Sequence, residues 1–226
     1  WRFYFENLDV TRADGVNDSD FVDLLRKKYN NIEFDAVIGE TAPAATLVER
    51  TKDQFDWPIR ITYSSVIESE DPNALYLGSK QSFFVEKTID LILAQNPNLK
   101  TLYVIESGGP PERDVVDTTR RYLANNTAID VVYEQNFELN ELLSKISDYD
   151  DASAILYDLV FRDNTGKALI PRQVLADITA VSPVPVYGLF STLLNTGMVG
   201  GHVIDAQVSA QSSLTAIKDY RRNGEF

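Results

Sequence analysis

The chain has 226 residues, of which 44% are hydrophobic and 11% aromatic, as is ordinary for a globular protein with a buried core. Its formal net charge is −13, and a charge of that sign disfavours binding to nucleic acids and anionic membrane surfaces. The absence of cysteine excludes disulfides, zinc–thiolate sites and thiol catalysis. No apolar run approaches the roughly 18 residues that a membrane span needs.

Short β patterns alternate with amphipathic helical patterns along the chain. Compact apolar and aromatic runs predict strands at 1–8, 35–39, 58–63, 101–106, 129–133, 153–158, 184–189 and 199–204. Apolar positions at helical spacing predict helices at 20–29, 43–55, 81–94, 111–125, 138–146, 171–181 and 206–222. The segment 66–79 shows little periodicity and is predicted to connect two strand–helix units. This alternation predicts an α/β fold with two doubly wound, Rossmann-like lobes whose parallel sheets are covered on both faces.

In doubly wound sheets, ligands bind beyond the carboxyl ends of the strands. In this chain those ends are rich in hydroxyl, carboxylate and aromatic groups, a mixture that suits a small organic molecule. The candidate ligand-binding residues at strand ends are Glu40, Thr41, Tyr63, Ser64, Gly108, Tyr157, Asp158, Phe190 and Ser191. No catalytic, metal-binding or cofactor-binding motif accompanies them, so the sequence predicts a binding protein and not an enzyme.

Several of these candidates also fit structural roles. Glu40 lies before a predicted helix, where a negative charge is favourable without any ligand. Tyr157 fits either stacking against a planar ligand beside Phe190 or packing in the core. The turn at 107–109 fits either an anion contact through backbone N–H groups or a tight turn before a helix.

Two further features are predicted to be structural. The segment 161–166 is typical of a turn that Asp163 or Asn164 closes, with Gly166 at a positive φ. His202 is the only histidine and lies in a predicted short strand. Because no cluster of metal ligands or catalytic partners surrounds it in the sequence, we expect a structural role.

The order and spacing of several segments resemble those of a known family. The segments are Glu6–Arg12, Phe34–Gly39, Phe161–Gly166, Pro185–Gly188 and Val199–Gly201. Over essentially its whole length the chain resembles type I periplasmic binding proteins, in the branch of ABC-transporter substrate-binding proteins. Within that branch it is most similar to the extracytoplasmic sensor domains of bacterial histidine kinases and diguanylate cyclases.

The resemblance implies a chain that crosses three times between two lobes. The N-terminal lobe would comprise residues 1–75 and the final helix 206–226, and the C-terminal lobe residues 76–205. Asp205, at a crossing, would contact the ligand, although an Asp there also fits a cap for the final helix. The family has a strand and a helix before the strand predicted at Trp1, and they are missing from this chain. We expect them to lie upstream, or a partner chain to fill their place.

The expected function follows from the same resemblance. It is a periplasmic sensor domain, part of an inner-membrane signalling protein, that closes its lobes on a small organic ligand. The alternative is a free solute-binding protein that delivers cargo to an ABC permease. The expected partners are therefore the ligand and either a membrane-linked output module or a permease, with homodimerisation left open. An amino acid, a nucleoside, a sugar and an aromatic acid all remain compatible as ligands.

Overall fold

The computed structural model describes residues 2–7, 18–55, 57, 59–63, 74–76, 81–107, 113–124 and 128–224. The chain divides into two compact units, which are described separately. The first unit comprises residues 1–80 and 207–226, and the second unit comprises residues 81–206. In chain order the elements are α1 (Asp18–Lys28), β1 (Val37–Glu40), α2 (Thr41–Thr51), β2 (Arg60–Tyr63), β3 (Ala74–Tyr76), α3 (Gln81–Gln95), β4 (Thr101–Ile105), α4 (Arg113–Leu123), β5 (Asp130–Glu134), α5 (Leu139–Ile146), β6 (Ser153–Tyr157), α6 (Pro171–Val181), β7 (Val186–Gly188) and α7 (Ala206–Asn223).

The first unit contains a parallel three-stranded sheet in the order β1-β2-β3. Gly39 lies in β1, where a Cβ atom would come within 3.0 Å of the Cα of Ala45 in α2. The absence of a side chain therefore lets α2 approach the strand closely. The core of this unit joins Ile59 and Ile61 to Ile217 of α7, so the last helix of the chain completes it.

The second unit contains a parallel four-stranded sheet in the order β5-β4-β6-β7. All five residues of β6 are buried, which requires cover on both faces of the sheet. Ile155 and Tyr157 pack in a cluster with residues of α5 and α6, whereas Ala154 and Leu156 pack in a cluster with residues of α3 and α4. The alternation of side chains along β6 thus divides the core into two layers.

The helices of the second unit carry the apolar spacing that their sequences predict. In α3, Val85, Ile89 and Ile92 are fully buried, as expected for one face of a helix. Burial of each such side chain stabilises the fold by roughly 1.5–3 kcal/mol. Helix α6 begins with Pro171 at its first position, where proline loses no hydrogen bond. At the start of α5, the carboxylate of Glu138 accepts from the backbone N–H of Glu141 at 3.1 Å.

Three sequence predictions about secondary structure were wrong. Residues 2–7, in the strand predicted at 1–8, carry no regular structure, and residues 1 and 8 lie outside the described residues. The segment predicted as a connection contains β3, which is only three residues long and too short to show a period. The strand predicted at 199–204 is reduced to single bridges of Gly200 to Tyr187 and of Ile204 to Phe190.

The interruption between these two bridges has a steric cause. Gly201 has a φ of 156°, and a Cβ atom on it would lie 2.0 Å from the carbonyl oxygen of Gly188. The backbone of this segment therefore crosses very close to the end of β7 and cannot continue a regular ladder. His202 is exposed, and its backbone N–H donates to the hydroxyl of Thr88 at 3.0 Å.

None of the described helices is both long enough and apolar enough to span a membrane. Within the same described ranges, no group of three or more His, Asp or Glu side chains is arranged to bind a metal ion.

Candidate functional site

The strands of the second unit end level with one another. Ile105 of β4 pairs with Glu134 of β5 and with Tyr157 of β6, and Tyr157 pairs with Gly188 of β7. Each of these residues is the last of its strand, and all four strands are parallel. The segments that follow the strands therefore emerge along a single edge of the sheet, which is where doubly wound folds bind ligands.

A small polar depression lies at this edge. It is lined by residues that follow β4, β5 and β6, namely Ser107, Asn136, Phe137, Arg162, Asp163 and Asn164. Its volume is about 40 Å³. A site of that size has room for a water molecule or for one ligand group of similar size. We refer to this site as the polar depression.

The turn that contains Asp163 is ordered by the carboxylate of that residue. One oxygen, Oδ1, accepts from the hydroxyl of Thr165 at 2.6 Å, from the Thr165 N–H at 3.0 Å and from the Lys167 N–H at 3.1 Å. These hydrogen bonds, chiefly the one from the Thr165 hydroxyl, lower the pKa of Asp163 below its usual value. Gly166 has a φ of 83°. The predicted turn at 161–166, closed by Asp163 with Gly166 at positive φ, is thus confirmed.

This turn is tied to the segment that follows β5. The Asn164 N–H donates to the carbonyl of Phe137 at 2.9 Å, and the Asn164 side-chain amide donates to the carbonyl of Asn136 at 3.1 Å. Asn136 has a φ of 56°, a left-handed conformation that asparagine adopts more readily than most residues. Asn136 was not among the site residues predicted from the sequence. An asparagine directly after a strand is a weak signal for such a turn and could have indicated it.

A buried carboxylate ties β4 to β5 at the same edge. Glu106 directly follows β4, is fully buried and accepts a hydrogen bond from the side-chain amide of Gln135. Glu134, the last residue of β5, accepts from Lys145 and from the hydroxyl of Tyr149. Burial is the largest cause that raises the pKa of Tyr149, followed by the charge of Glu134. None of these residues was among the sequence candidates, because their pairing depends on strand register.

Two of the predicted site residues, Tyr157 and Asp158, lie at the end of β6. The Tyr157 ring is fully buried in the core, and its hydroxyl donates to the carbonyl of Pro171 at 2.8 Å. Asp158 is 1% exposed, and its N–H donates to the carbonyl of Ile105 at 3.0 Å. The Tyr157 ring is thus occupied by core packing, which was the structural alternative. Ligand contacts by both residues stay predictions.

Phe190 and Ser191 follow β7 by two and three residues. Phe190 is half-buried and packs against both core clusters of the second unit. Ser191 begins a short 3-10 turn at Ser191–Leu193, and its N–H donates to the carbonyl of Ile204 at 3.0 Å. Both side chains keep some exposed surface near the carboxyl edge of the sheet.

The remaining candidates are described only in part. Glu40 is exposed at the end of β1 and makes no side-chain hydrogen bond that caps α2. Asp205 is half-buried and directly precedes α7. Of the other four, Thr41 and Tyr63 are described only in their backbone, and Ser64 and Gly108 lie outside the described residues.

No protein-family model matches the sequence, and no curated protein matches it. Solved structures do match. A branched-chain amino acid ABC transporter protein from Thermus thermophilus with bound valine has a TM-score of 0.56 at 11% identity, over 82% of this chain and 50% of that one. Streptococcus pneumoniae LivJ is a branched-chain amino acid transporter substrate-binding protein in complex with isoleucine. It has a TM-score of 0.54 at 13% identity, over 80% of this chain and 51% of that one.

A conserved domain protein from Vibrio cholerae has a TM-score of 0.54 at 16% identity, over 81% of this chain and 63% of that one. The chain thus spans between half and two thirds of the length of these structures. Likeness at such low identity establishes the fold. The chain has the α/β fold of type I periplasmic binding proteins, which confirms the predicted fold class.

Proposed function

We propose that this chain is the ligand-binding part of an extracytoplasmic protein and that it binds a small organic molecule without transforming it. One observation carries the proposal. Side chains that follow three parallel strands converge on one polar depression at the carboxyl edge of the second unit's sheet. The solved structures of the same fold include proteins described as binding valine and isoleucine.

The residues around the depression suit reversible binding. Ser107, Asn136 and Asn164 can donate and accept hydrogen bonds, and Asp163 supplies a negative charge. Phe137 adds an apolar wall. A few polar groups beside an aromatic ring is the usual composition of a small-molecule site. In this unit we extend the proposed ligand contacts to Asp158, Phe190, Ser191 and Asp205. Glu40, in the first unit, is proposed separately as a ligand contact of that unit.

Ligand retention through a native purification is the direct test. Mass spectrometry of the purified chain should detect a bound small molecule, and adding it back should raise the melting temperature with the logarithm of its concentration above Kd. Phe190→Ala should weaken binding. Ile170→Ala removes an apolar side chain that is 66% exposed in the same unit and should leave the affinity unchanged. The proposal fails if no molecule is retained and no compound of a metabolite library shifts the melting temperature.

The biological role of binding has two candidates. The first is a sensor domain of a membrane-bound histidine kinase or diguanylate cyclase, in which the ligand favours a closed arrangement of the lobes because that form binds it better. The second is a solute-binding protein of an ABC importer, and the descriptions of the similar solved structures favour this one.

The complete reading frame separates the two roles. A transmembrane helix followed by a kinase or cyclase domain would support the sensor. A secretion signal with no downstream domain would support transport. For either role, small-angle X-ray scattering should give a smaller radius of gyration with ligand than without it, and an unchanged radius would contradict closure.

A further inference from the structure

The last turn of α7 ends in an asparagine–glycine pair. Asn223 is the final residue of the helix, and both Asn223 and Gly224 are exposed. Asn223 is also the only asparagine in the sequence that is followed by glycine. Glycine has no side chain to hinder its backbone nitrogen. An asparagine before glycine is therefore the kind most open to attack on its side-chain amide by the nitrogen of the next residue.

The helix cap restrains that nitrogen. Gly224 has a φ of 78°, and its backbone N–H donates to the carbonyl of Tyr220 at 2.7 Å. A left-handed glycine with this hydrogen bond is a common way for a helix to end. While the bond is formed, the Gly224 nitrogen is engaged with Tyr220 and cannot attack Asn223. The last turn must therefore open before any reaction takes place.

Opening of that turn requires little free energy. Helix ends fray, and their local opening lies at the low end of the range found in folded proteins. A Cβ atom on Gly224 would meet no atom within 4 Å apart from its chain neighbours, so nothing else covers this residue. Tyr220 is half-buried and packs against the core of the first unit, beside Ile59 and Ile61. The packing of Tyr220 is thus the contact that keeps the turn closed.

We propose that Asn223 is a deamidation site and that opening of the last turn of α7 controls its rate. In the open form, hydroxide removes the amide proton of Gly224, and the nitrogen attacks Cγ of Asn223. The new N–Cγ bond closes a five-membered succinimide, while the bond from Cγ to the side-chain nitrogen breaks and ammonia leaves with a proton from water. Water then opens the ring at either carbonyl, which gives aspartate or isoaspartate and restores the Gly224 N–H. No oxidant or other co-reactant is needed.

The modification acts on the helix that completes the first unit. Both products place a carboxylate at the C-terminal end of α7, where a negative charge is unfavourable. Isoaspartate also adds a methylene group to the backbone. Because Ile217 of α7 belongs to the core of the first unit, we expect the modified chain to hold α7 less firmly. This inference is independent of ligand binding and stands whether or not the proposed function is correct.

The test follows the 226-residue chain at mildly alkaline pH, native and in guanidinium chloride, by peptide mapping that separates aspartate from isoaspartate products. In the unfolded chain Asn223 should react faster than Asn195, which is exposed but precedes Thr196. In the native chain Asn223 should react about threefold or more slowly than in the unfolded chain, because the turn must open first. Equal rates at Asn223 and Asn195 in the unfolded chain would overturn the site. Equal native and unfolded rates at Asn223 would overturn its control by the turn.

Two substitutions in α7 test the role of the turn. Tyr220→Ala removes the packing that holds the turn and should raise the native rate at Asn223 by about threefold or more, with no change in guanidinium chloride. Val208→Ala is the matched control, because this side chain is 60% exposed near the other end of α7, and it should change neither rate. A wild-type native rate in Tyr220→Ala would contradict the proposal. If Tyr220→Ala fails to fold, the comparison of native and unfolded wild-type chains still decides the question.

Discussion

The substitution Tyr157→Phe should change how the stability of the protein depends on pH. The ring is fully buried, and its hydroxyl donates a hydrogen bond to the carbonyl of Pro171 at 2.8 Å. Phenylalanine keeps the packing and removes that hydrogen bond. At neutral pH the variant should therefore be less stable than the wild type by about 1 kcal/mol.

Well above neutral pH, the wild type should lose its advantage in stability over the variant. Burial raises the pKa of Tyr157 above the ordinary value of 10.0, whereas in the unfolded chain the hydroxyl titrates near that value. Between these two pKa values the unfolded chain loses the proton and the folded chain keeps it. The stability contributed by Tyr157 is thus complete below pH 10 and declines by about 1.4 kcal/mol for each pH unit above it. The variant does not suffer this loss, so the two proteins should reach equal stability near pH ~11.

Urea unfolding, followed by circular dichroism at a series of pH values between neutral and about 11, measures both effects. Lysine and arginine residues titrate alike in the two proteins, so their contribution cancels in the difference. The reasoning would be refuted if wild type and variant lost the same free energy of unfolding over that range. It would also be refuted if the variant were as stable as the wild type at neutral pH.

Three further substitutions test the packing of the second unit by urea unfolding. Gly201→Ala should lower the free energy of unfolding by at least about 2 kcal/mol, because the new methyl group would overlap the carbonyl oxygen of Gly188. If the variant were as stable as the wild type, the backbone at Gly201 would not pass close to Gly188. Glu138→Ala removes the side-chain acceptor at the start of α5 and should lower the free energy of unfolding by about 1 kcal/mol. Glu138→Asp keeps a carboxylate acceptor there and should retain most of the wild-type stability. Ile155→Ala leaves a cavity at a fully buried core position and should lower the free energy of unfolding by about 2–5 kcal/mol. A loss below about 1 kcal/mol would contradict the packing of this β6 residue against α5 and α6.

Elements whose boundaries depend on local chemistry were predictable from the sequence. Helix α6 spans the predicted residues because Pro171 fits its first position and because Ser182 precedes Pro183, which disfavours a helical conformation at Ser182. Strand β6 differs from its prediction by one residue, since a continuous apolar run bounded by polar residues has few alternatives. In contrast, the strand predicted at 199–204 depends on a close backbone crossing that no local pattern reveals.

The candidate site was predictable as a region but not residue by residue. The rule that ligands bind at carboxyl strand ends led to the edge of the sheet at which the polar depression lies. The rule does not say which way a strand-end side chain points, so Tyr157 was a candidate although its ring enters the core. Asn136 and Asn164 were not candidates, because their importance arises from a contact between two loops that are distant in sequence.

The division of the first unit between the two ends of the chain has a consequence for the order of folding. Its core needs Ile217, which follows Ile61 only after the whole second unit. Closing an unstructured loop of about 125 residues costs roughly 4 kcal/mol of chain entropy. Because the second unit is continuous in sequence, it can fold first. The segment between the two parts of the first unit is then a compact unit and no longer an unstructured loop when α7 packs against the first core. During synthesis from the N-terminus, we therefore expect the second unit to become native while the first waits for α7 to leave the ribosome.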